Sequence, residues 1–347
     1  MLTQMAVEVA EQPAAVRRTL AGLTPLRPAL KDLAEGRRHV LFAARGSSDN
    51  AAVYGRYLLE THAGVAGGLL SPSVATHYRS RLDLSDALVV SVSQSGATEE
   101  IVATQAWARA CGAATVGITN VAGSPLADDA DLALVTEAGP ELAVPATKTY
   151  LTQLVAMAVL GTALAPAHAA LDSDLFRVAD EVERLIAGRA GVETAVAALR
   201  DASYAVVSGR GLMMGTALET ALKLEETCLR PVRGYSYADL RHGPISVVTS
   251  GMAAVLVAAP DGPLVEPLVE LAGDLAARGA TVVGIGGDPR FAAACELHVP
   301  GPDLPESLAP LGAIVPAQLI VEALARALEL DPDRPRGLAK VTTTDPS

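Results

Sequence analysis

The chain has 347 residues, of which half are hydrophobic, 19% charged and only 3% aromatic, and it carries a formal charge of −12 at pH 7. The length exceeds one ordinary core and suits two domains of about 150 residues each. The charge excludes a sequence-independent nucleic-acid surface, which needs clustered Lys and Arg, but not an anionic small ligand, which local dipoles can hold inside an acidic protein.

The first stretch, MLTQMAVEVAEQPAAVRR, places Glu residues early and lacks the basic-then-apolar pattern of a secretion signal. Residues 1–35 read as a helical lead punctuated by Pro13 and Pro25. Over 36–166, short aliphatic runs alternate with helical stretches, the pattern of βαβ units and a parallel sheet. HVLFA (39–43) runs into the turn Arg45-Gly46-Ser47-Ser48, and Leu88-Val89-Val90-Ser91-Val92 delivers the chain into Ser93-Gln94-Ser95-Gly96-Ala97-Thr98. Glu99 and Glu100 then begin a helix reaching Trp107 and Ala110. Such a loop, beyond a strand's carboxyl end and feeding a helix N-terminus, offers backbone N–H groups and a positive dipole end to an anion. Ser93, Gln94, Ser95 and Thr98 add donors without charge. The competing reading is an N-cap, ordinary for one Ser before an acidic first turn; four polar residues, with Ser47 and Ser48 at the neighbouring turn, favour a phosphate site.

Residues 167–200 read as a helical connector, and 201–330 repeat the first order of events. HVLFAARGSS answers to YAVVSGRGLM, and DALVVSVSQSGAT to MAAVLVAAPDGP; AATVGITN answers to ATVVGIGG, and DLALVTEAGPE to ELHVPGPDLPE. Each half closes on a long aliphatic helix, TYLTQLVAMAVLGTALA and AIVPAQLIVEALARALEL. An offset of about 165 residues is far beyond a solenoid period, so this is domain duplication. The expected fold is therefore α/β, with two tandem lobes, each a parallel β-sheet flanked by helices. The second lobe has Ala259-Pro260-Asp261-Gly262 where the first has its polar loop, so one phosphate site is expected per chain.

Chemistry-bearing residues follow in the second half. Only four of the 27 basic residues are lysines: Lys31, Lys148, Lys223 and Lys340. Glu219, Lys223 and Glu226 stand at i, i+4 and i+7, on one helical face. A solvated, helix-stabilising face is the ordinary meaning of such a row, but its flanks Leu212, Met213, Met214, Leu222 and Leu224 are apolar, as in a packed helix. His242, followed by Gly-Pro, falls where regular structure stops, and an imidazole there moves a proton near neutral pH. The other histidines, His39, His62, His77, His168 and His298, show no partner spacing and read as structural. Residues 331–347 form an irregular tail carrying Lys340, whose neighbours Leu338 and Ala339 suggest docking. Cys111, Cys228 and Cys295 lack disulfide or zinc spacing and read as reduced core thiols. No metal and no organic cofactor is expected, since neither a ligand cluster nor a dinucleotide fingerprint occurs. The longest apolar stretch, near Leu154 to Ala165, is shorter than the roughly 20 residues of a membrane span, so the cytoplasm and no membrane partner are expected.

ARGSS, SQSGAT, ALETALKLEET, DLRHGP and PRGLAK, in that order, resemble the sugar isomerase (SIS) family, and most of all the isomerase part of the glucosamine-6-phosphate synthases. The resemblance implies flavodoxin-like lobes and a sugar phosphate held by Gly46, Ser47, Ser48, Ser93, Gln94, Ser95 and Thr98, with Val144 lining the sugar. It places the enolisation base on Glu226, a ring-opening histidine donated across a homodimer on His242, an imine-forming amine on Lys340, and the preceding acid and amine on Glu219 and Lys223. Two departures matter. The synthases carry a glutaminase domain before this region, whereas this chain begins MLTQMAVEVAEQ, so glutamine-dependent synthesis is not expected. In the Thr147-Lys148 loop, Ala146 stands where the family has a ligand-contacting serine. The implied activities are a glucosamine-6-phosphate deaminase-isomerase, an N-acetylglucosamine-6-phosphate dehydratase, or a sensor that binds sugar phosphate without turnover; the residues leave all three open.

Overall fold

The computed structural model describes residues 2–166 and 169–340. His168 and the tail beyond Lys340 lie outside the described residues. The chain forms two compact bodies. One comprises Ala14–Glu141, Lys148–Phe176 and the segment from Ala339; the other comprises the N-terminal residues to Pro13, Leu142–Thr147 and Arg177–Leu338.

The first body is built on β1 (His39–Ala43), β2 (Ala66–Leu69), β3 (Ala87–Val92), β4 (Ala114–Thr119) and β5 (Leu132–Val135), all parallel, in the order β2-β1-β3-β4-β5. Every residue of β3 and β4 is buried, because helices cover both faces of a parallel sheet and leave no strand face in water. The aliphatic helix Lys148–Leu164 packs on helix Ser47–Leu58.

The second body repeats that plan with β6 (Ala205–Gly209), β7 (Val232–Ser236), β8 (Ala253–Ala258), β9 (Thr281–Gly286) and β10 (Leu297–Val299). Their order, β7-β6-β8-β9-β10 read from one edge, is the first order over again, and the pairings are again parallel. This is the flavodoxin-like winding. Helix Ala309–Ala327 packs against helices Met214–Cys228 and Val192–Asp201, and the N-terminal helix Gln4–Ala10 lies on it.

Three points differ from the sequence reading. The edge strands β2 and β7 are additional: AGGL and VRGYS contain glycine and are not fully buried, so neither shows an aliphatic run. Residues Tyr237–Arg241 are a short helix that the sequence did not indicate, so Asp239 to Arg241 of the DLRHGP motif are helical and the chain becomes irregular at His242. Among the described residues one helix, Ala309–Ala327, is long and apolar enough to cross a membrane, unlike the shorter stretch singled out in the sequence; 89% of its apolar window is buried inside the molecule, as expected of a core helix.

Candidate functional site

In the order β2-β1-β3-β4-β5 the winding reverses between β1 and β3, which pair directly with Ala43 opposite Ser91. The crevice outside the carboxyl ends at such a reversal is where α/β sheets bind ligands. Both polar turns leave from these two strands, so Gly46-Ser47-Ser48 and Ser93–Thr98 sit side by side on one crest. Gly46 adopts φ 56°, ψ −131°, a backbone shape that suits only glycine, and its carbonyl accepts from the N–H groups of Asp49 (3.0 Å) and Asn50 (3.2 Å) to start the helix.

The second turn is fixed by its own side chains. The hydroxyls of Ser93 and Thr98 share a hydrogen bond of 2.9 Å, the Ala97 N–H donates to Ser95 Oγ at 3.2 Å, and the Ser93 N–H donates to the Ile118 carbonyl at 3.0 Å. Thr98 is the N-cap residue of helix Glu99–Ala110, but its hydroxyl makes no cap hydrogen bond. The ordinary N-cap reading therefore does not hold. The Ser95, Thr98 and Glu99 N–H groups find no protein acceptor among the described residues, and Gln94, Ser95 and Thr98 are partly exposed while Ser93 is buried. Arg45 forks onto Glu100 at 2.8 and 3.0 Å, so these two charges cancel. Burial pushes the Asp49 carboxyl up against the pull of Arg45. The crest thus presents neutral donors at a helix N-terminus, a setting suited to a phosphoryl dianion.

Gly96 (φ 64°) is the close-approach position: a Cβ there would fall 2.1 Å from Ser124 Oγ and 2.7 Å from Thr119 Oγ1. Gly96→Ala is expected to cost about 1–3 kcal/mol and to weaken phosphate-ester binding at least about tenfold. Thermal unfolding and isothermal titration with a phosphate ester check both; unchanged affinity would rule the loop out as a phosphate site. At the corresponding turn of the second body, Asp261 Oδ1 accepts the Glu306 N–H at 2.7 Å, and burial together with Asp261 raises the Glu306 carboxyl. Two carboxylates occupy that crest, which disfavours an anion there.

The acid face lies on helix Met214–Cys228 of the second body. It is not a solvated face: the side chains of Glu219 and Lys223 are 0% and 2% exposed, and only Glu226, at 19%, reaches the surface. Lys223 Nζ stands 3.2 Å from Glu219 and in contact with Glu226. Burial pulls the Lys223 ammonium down, but the two carboxylates outweigh it and hold it above the ordinary lysine range. Glu226 is therefore held by a buried cation while its side chain stays partly exposed. A carboxylate so placed can accept a proton from carbon.

His242 ends helix Tyr237–Arg241 and is exposed. That helix is braced by the Tyr237 ring, which lies 4.8 Å from the Arg210 guanidinium and 5.2 Å from that of Arg241. Val144 and Ala146 are partly buried in the segment Leu142–Thr147. Buried Glu8 shapes that segment by accepting from the Leu142 N–H and, at 3.3 Å, from the Ala143 N–H, while the Val144 N–H donates to the Asp333 carbonyl at 2.9 Å. Lys340 belongs to the first body, where its Nζ donates to Glu141 Oε2 at 2.6 Å. The structure thus gathers Gly46, Ser47, Ser48, Ser93, Gln94, Ser95 and Thr98 on one crest and Glu219, Lys223 and Glu226 on one helix. Among the described residues no group of three or more metal-ligating side chains occurs.

The SIS domain pattern matches residues 33–163. A crystal structure of a protein from Silicibacter pomeroyi DSS-3, provisionally named a phosphosugar isomerase, is 35% identical and superposes with a TM-score of 0.87, covering 96% of this chain and 100% of that one. The chain belongs to the SIS domain family. This SIS protein is also 36% identical over 363 aligned positions to the glutamine–fructose-6-phosphate aminotransferase (isomerizing) of Symbiobacterium thermophilum, a match that takes in 98% of the chain. It spans about three-fifths (59%) of that relative's length. The C-terminal domain of the glucosamine-fructose-6-phosphate aminotransferase from Francisella tularensis shares the fold at a TM-score of 0.83 and 26% identity, over 96% of this chain and 99% of that one. The matched sugar-isomerase relatives support an enzymatic role, and a sugar-phosphate substrate suits the family.

Glu141, Glu8 and Asp333 carry structural weight that the sequence reading missed. The one sequence signal of Glu141 and Glu8 is a carboxylate set among apolar residues, in PELAVP and QMAVEVA; Asp333, in DPDRPR, has none.

Proposed function

We propose that this SIS protein is a glucosamine-6-phosphate deaminase-isomerase, and the observation that carries the proposal is the buried Glu219–Lys223–Glu226 row with Glu226 alone accessible. In this reading the crest of Gly46, Ser47, Ser48, Ser93, Gln94, Ser95 and Thr98 holds the phosphate, Val144 and Ala146 border the sugar, and His242 assists ring opening. Glu226 takes the C2 proton, the C–H electron pair forms a C1–C2 double bond, and the C1 carbonyl pair moves to oxygen. Return of a proton to C1 leaves an imine at C2, which water hydrolyses to ammonia and a ketose phosphate. That ketose, fructose 6-phosphate, is the sugar named in the aminotransferase relatives. Lys340 stabilises the open sugar by charge or as an imine.

Burial pushes the Cys228 and Cys295 thiols up to about 12, so neither provides a thiolate for glutamine hydrolysis at neutral pH; the reading for these residues is release of ammonia without glutamine. The exposed His242 suits donation to a second copy of the chain, and we assign a homodimer. Cysteines without disulfide partners suit the cytoplasm.

A second reading rests on Ala146. Its small side chain leaves room for an acetylated sugar, and the same C2 proton abstraction with loss of the C3 hydroxyl would make a dehydratase of N-acetylglucosamine 6-phosphate. Incubating the purified protein with both phosphates and weighing the products separates the readings. Ammonia and fructose 6-phosphate from the free amine support the deaminase, whereas loss of one water from the acetylated sugar supports the dehydratase. Binding with no change to either would make the protein a sensor and overturn the enzymatic reading.

A further inference from the structure

Glu141 has no part in the chemistry described above, yet its surroundings in the first body are specialised. Its side chain is 0% exposed, and it accepts the Thr149 N–H at 3.1 Å, the Thr149 hydroxyl at 2.6 Å and Lys340 Nζ at 2.6 Å. Thr149 lies in the first turn of helix Lys148–Leu164, so the carboxylate is fixed by a rigid element while another of its contacts reaches a residue 199 positions away in the chain. Lys340 is itself only 25% exposed. Burying a carboxylate this completely is costly unless it is paired and hydrogen-bonded. Here one oxygen faces the tail amine and the threonine hydroxyl together, which sets the direction of that amine.

We propose that Glu141 is the positioning carboxylate of Lys340 and the acceptor of its proton. The proposal rests on the reading of Lys340 as the amine that joins the open sugar. An ammonium cannot attack a carbonyl, so Lys340 must first give one proton to Glu141 Oε2, which leaves an electron pair on Nζ. That pair adds to the carbonyl carbon, the carbonyl π pair goes to oxygen, and one of the two protons on nitrogen moves to that oxygen; the carbinolamine so formed then expels it as the nitrogen pair makes the C=N bond. The proton held on Glu141 leaves with it as water. The sum converts ammonium and carbonyl into a protonated imine and water, with Glu141 returned to its starting state.

The full chain tests this in two ways. Brief treatment of the native protein with an amine-acetylating ester, read by mass spectrometry, compares Lys340 with exposed Lys31 in the same molecule. Glu141→Gln should acetylate Lys340 about tenfold faster than wild type, because the amine loses the buried carboxylate that engages it at 2.6 Å. Thr149→Val, which removes one support and leaves the carboxylate, should fall between. Borohydride reduction in the presence of fructose 6-phosphate should leave a sugar adduct on Lys340 in wild type and at least about tenfold less in Glu141→Gln, with phosphate-ester affinity within about threefold of wild type and partial recovery in Glu141→Asp. Unchanged acetylation together with unchanged trapping in Glu141→Gln would overturn the positioning role. Absence of an adduct in wild type would overturn the proton-acceptor role together with the amine reading of Lys340, whereas the acetylation contrast would then still decide whether Glu141 positions the tail.

Discussion

Lys223→Met should destabilise the second body by about 3–5 kcal/mol, the loss expected when one partner of a buried ion pair is removed. The variant strips the cation from Glu219, whose side chain is 0% exposed, and leaves two carboxylates on one helical face. Because folding holds the Lys223 ammonium above the ordinary lysine value of 10.5, its contribution is complete below that pH and is lost only as pH rises through the higher folded value. The deficit should therefore be nearly constant from neutral pH to about pH 9. Urea unfolding at several pH values measures it. Adding Glu219→Leu should recover most of the loss, since an apolar pair of similar volume often replaces a buried ion pair at little cost. A Lys223→Met deficit below about 1 kcal/mol would show that the row is solvated after all.

Glu226→Gln should lower turnover of glucosamine 6-phosphate by about 10³-fold, within the range for loss of a general base, and leave its binding within a few-fold. The reason lies in where the residue sits: buried Lys223 holds the Glu226 carboxylate, and the Glu226 side chain, at 19%, is exposed enough to meet a ligand. An amide keeps the size and a hydrogen-bonding oxygen but cannot take a proton. A matching loss of affinity would instead make Glu226 a binding residue.

Much of this was legible because it is local. The runs LVVSV, ATVGIT and AAVLVA are buried on both faces, and such strands announce themselves by aliphatic continuity. The polar loop Ser93–Thr98 was readable for the same reason, since its hydroxyls and amide lie within six residues of one turn. The repeat also gave the two-lobed plan, because each half presents the same succession of strand and turn. What was not legible is long-range. Glu141 shows its role only through a tail residue 199 positions on, and Glu8 through the Leu142 N–H 134 positions on. Asp333 accepts the Met5 N–H from 328 positions away. No window of sequence contains those pairs. The edge strands AGGL and VRGYS were missed for a different reason: with one neighbour each, they need no unbroken aliphatic run.

Glucosamine 6-phosphate carrying deuterium at C2 gives the most direct measurement of whether a side chain removes hydrogen from that carbon. On incubation with the wild-type chain, nuclear magnetic resonance should show deuterium leaving C2 for water or for C1, and Glu226→Gln should leave it in place. Full retention at C2 in wild type, with the sugar phosphate bound, would contradict the account.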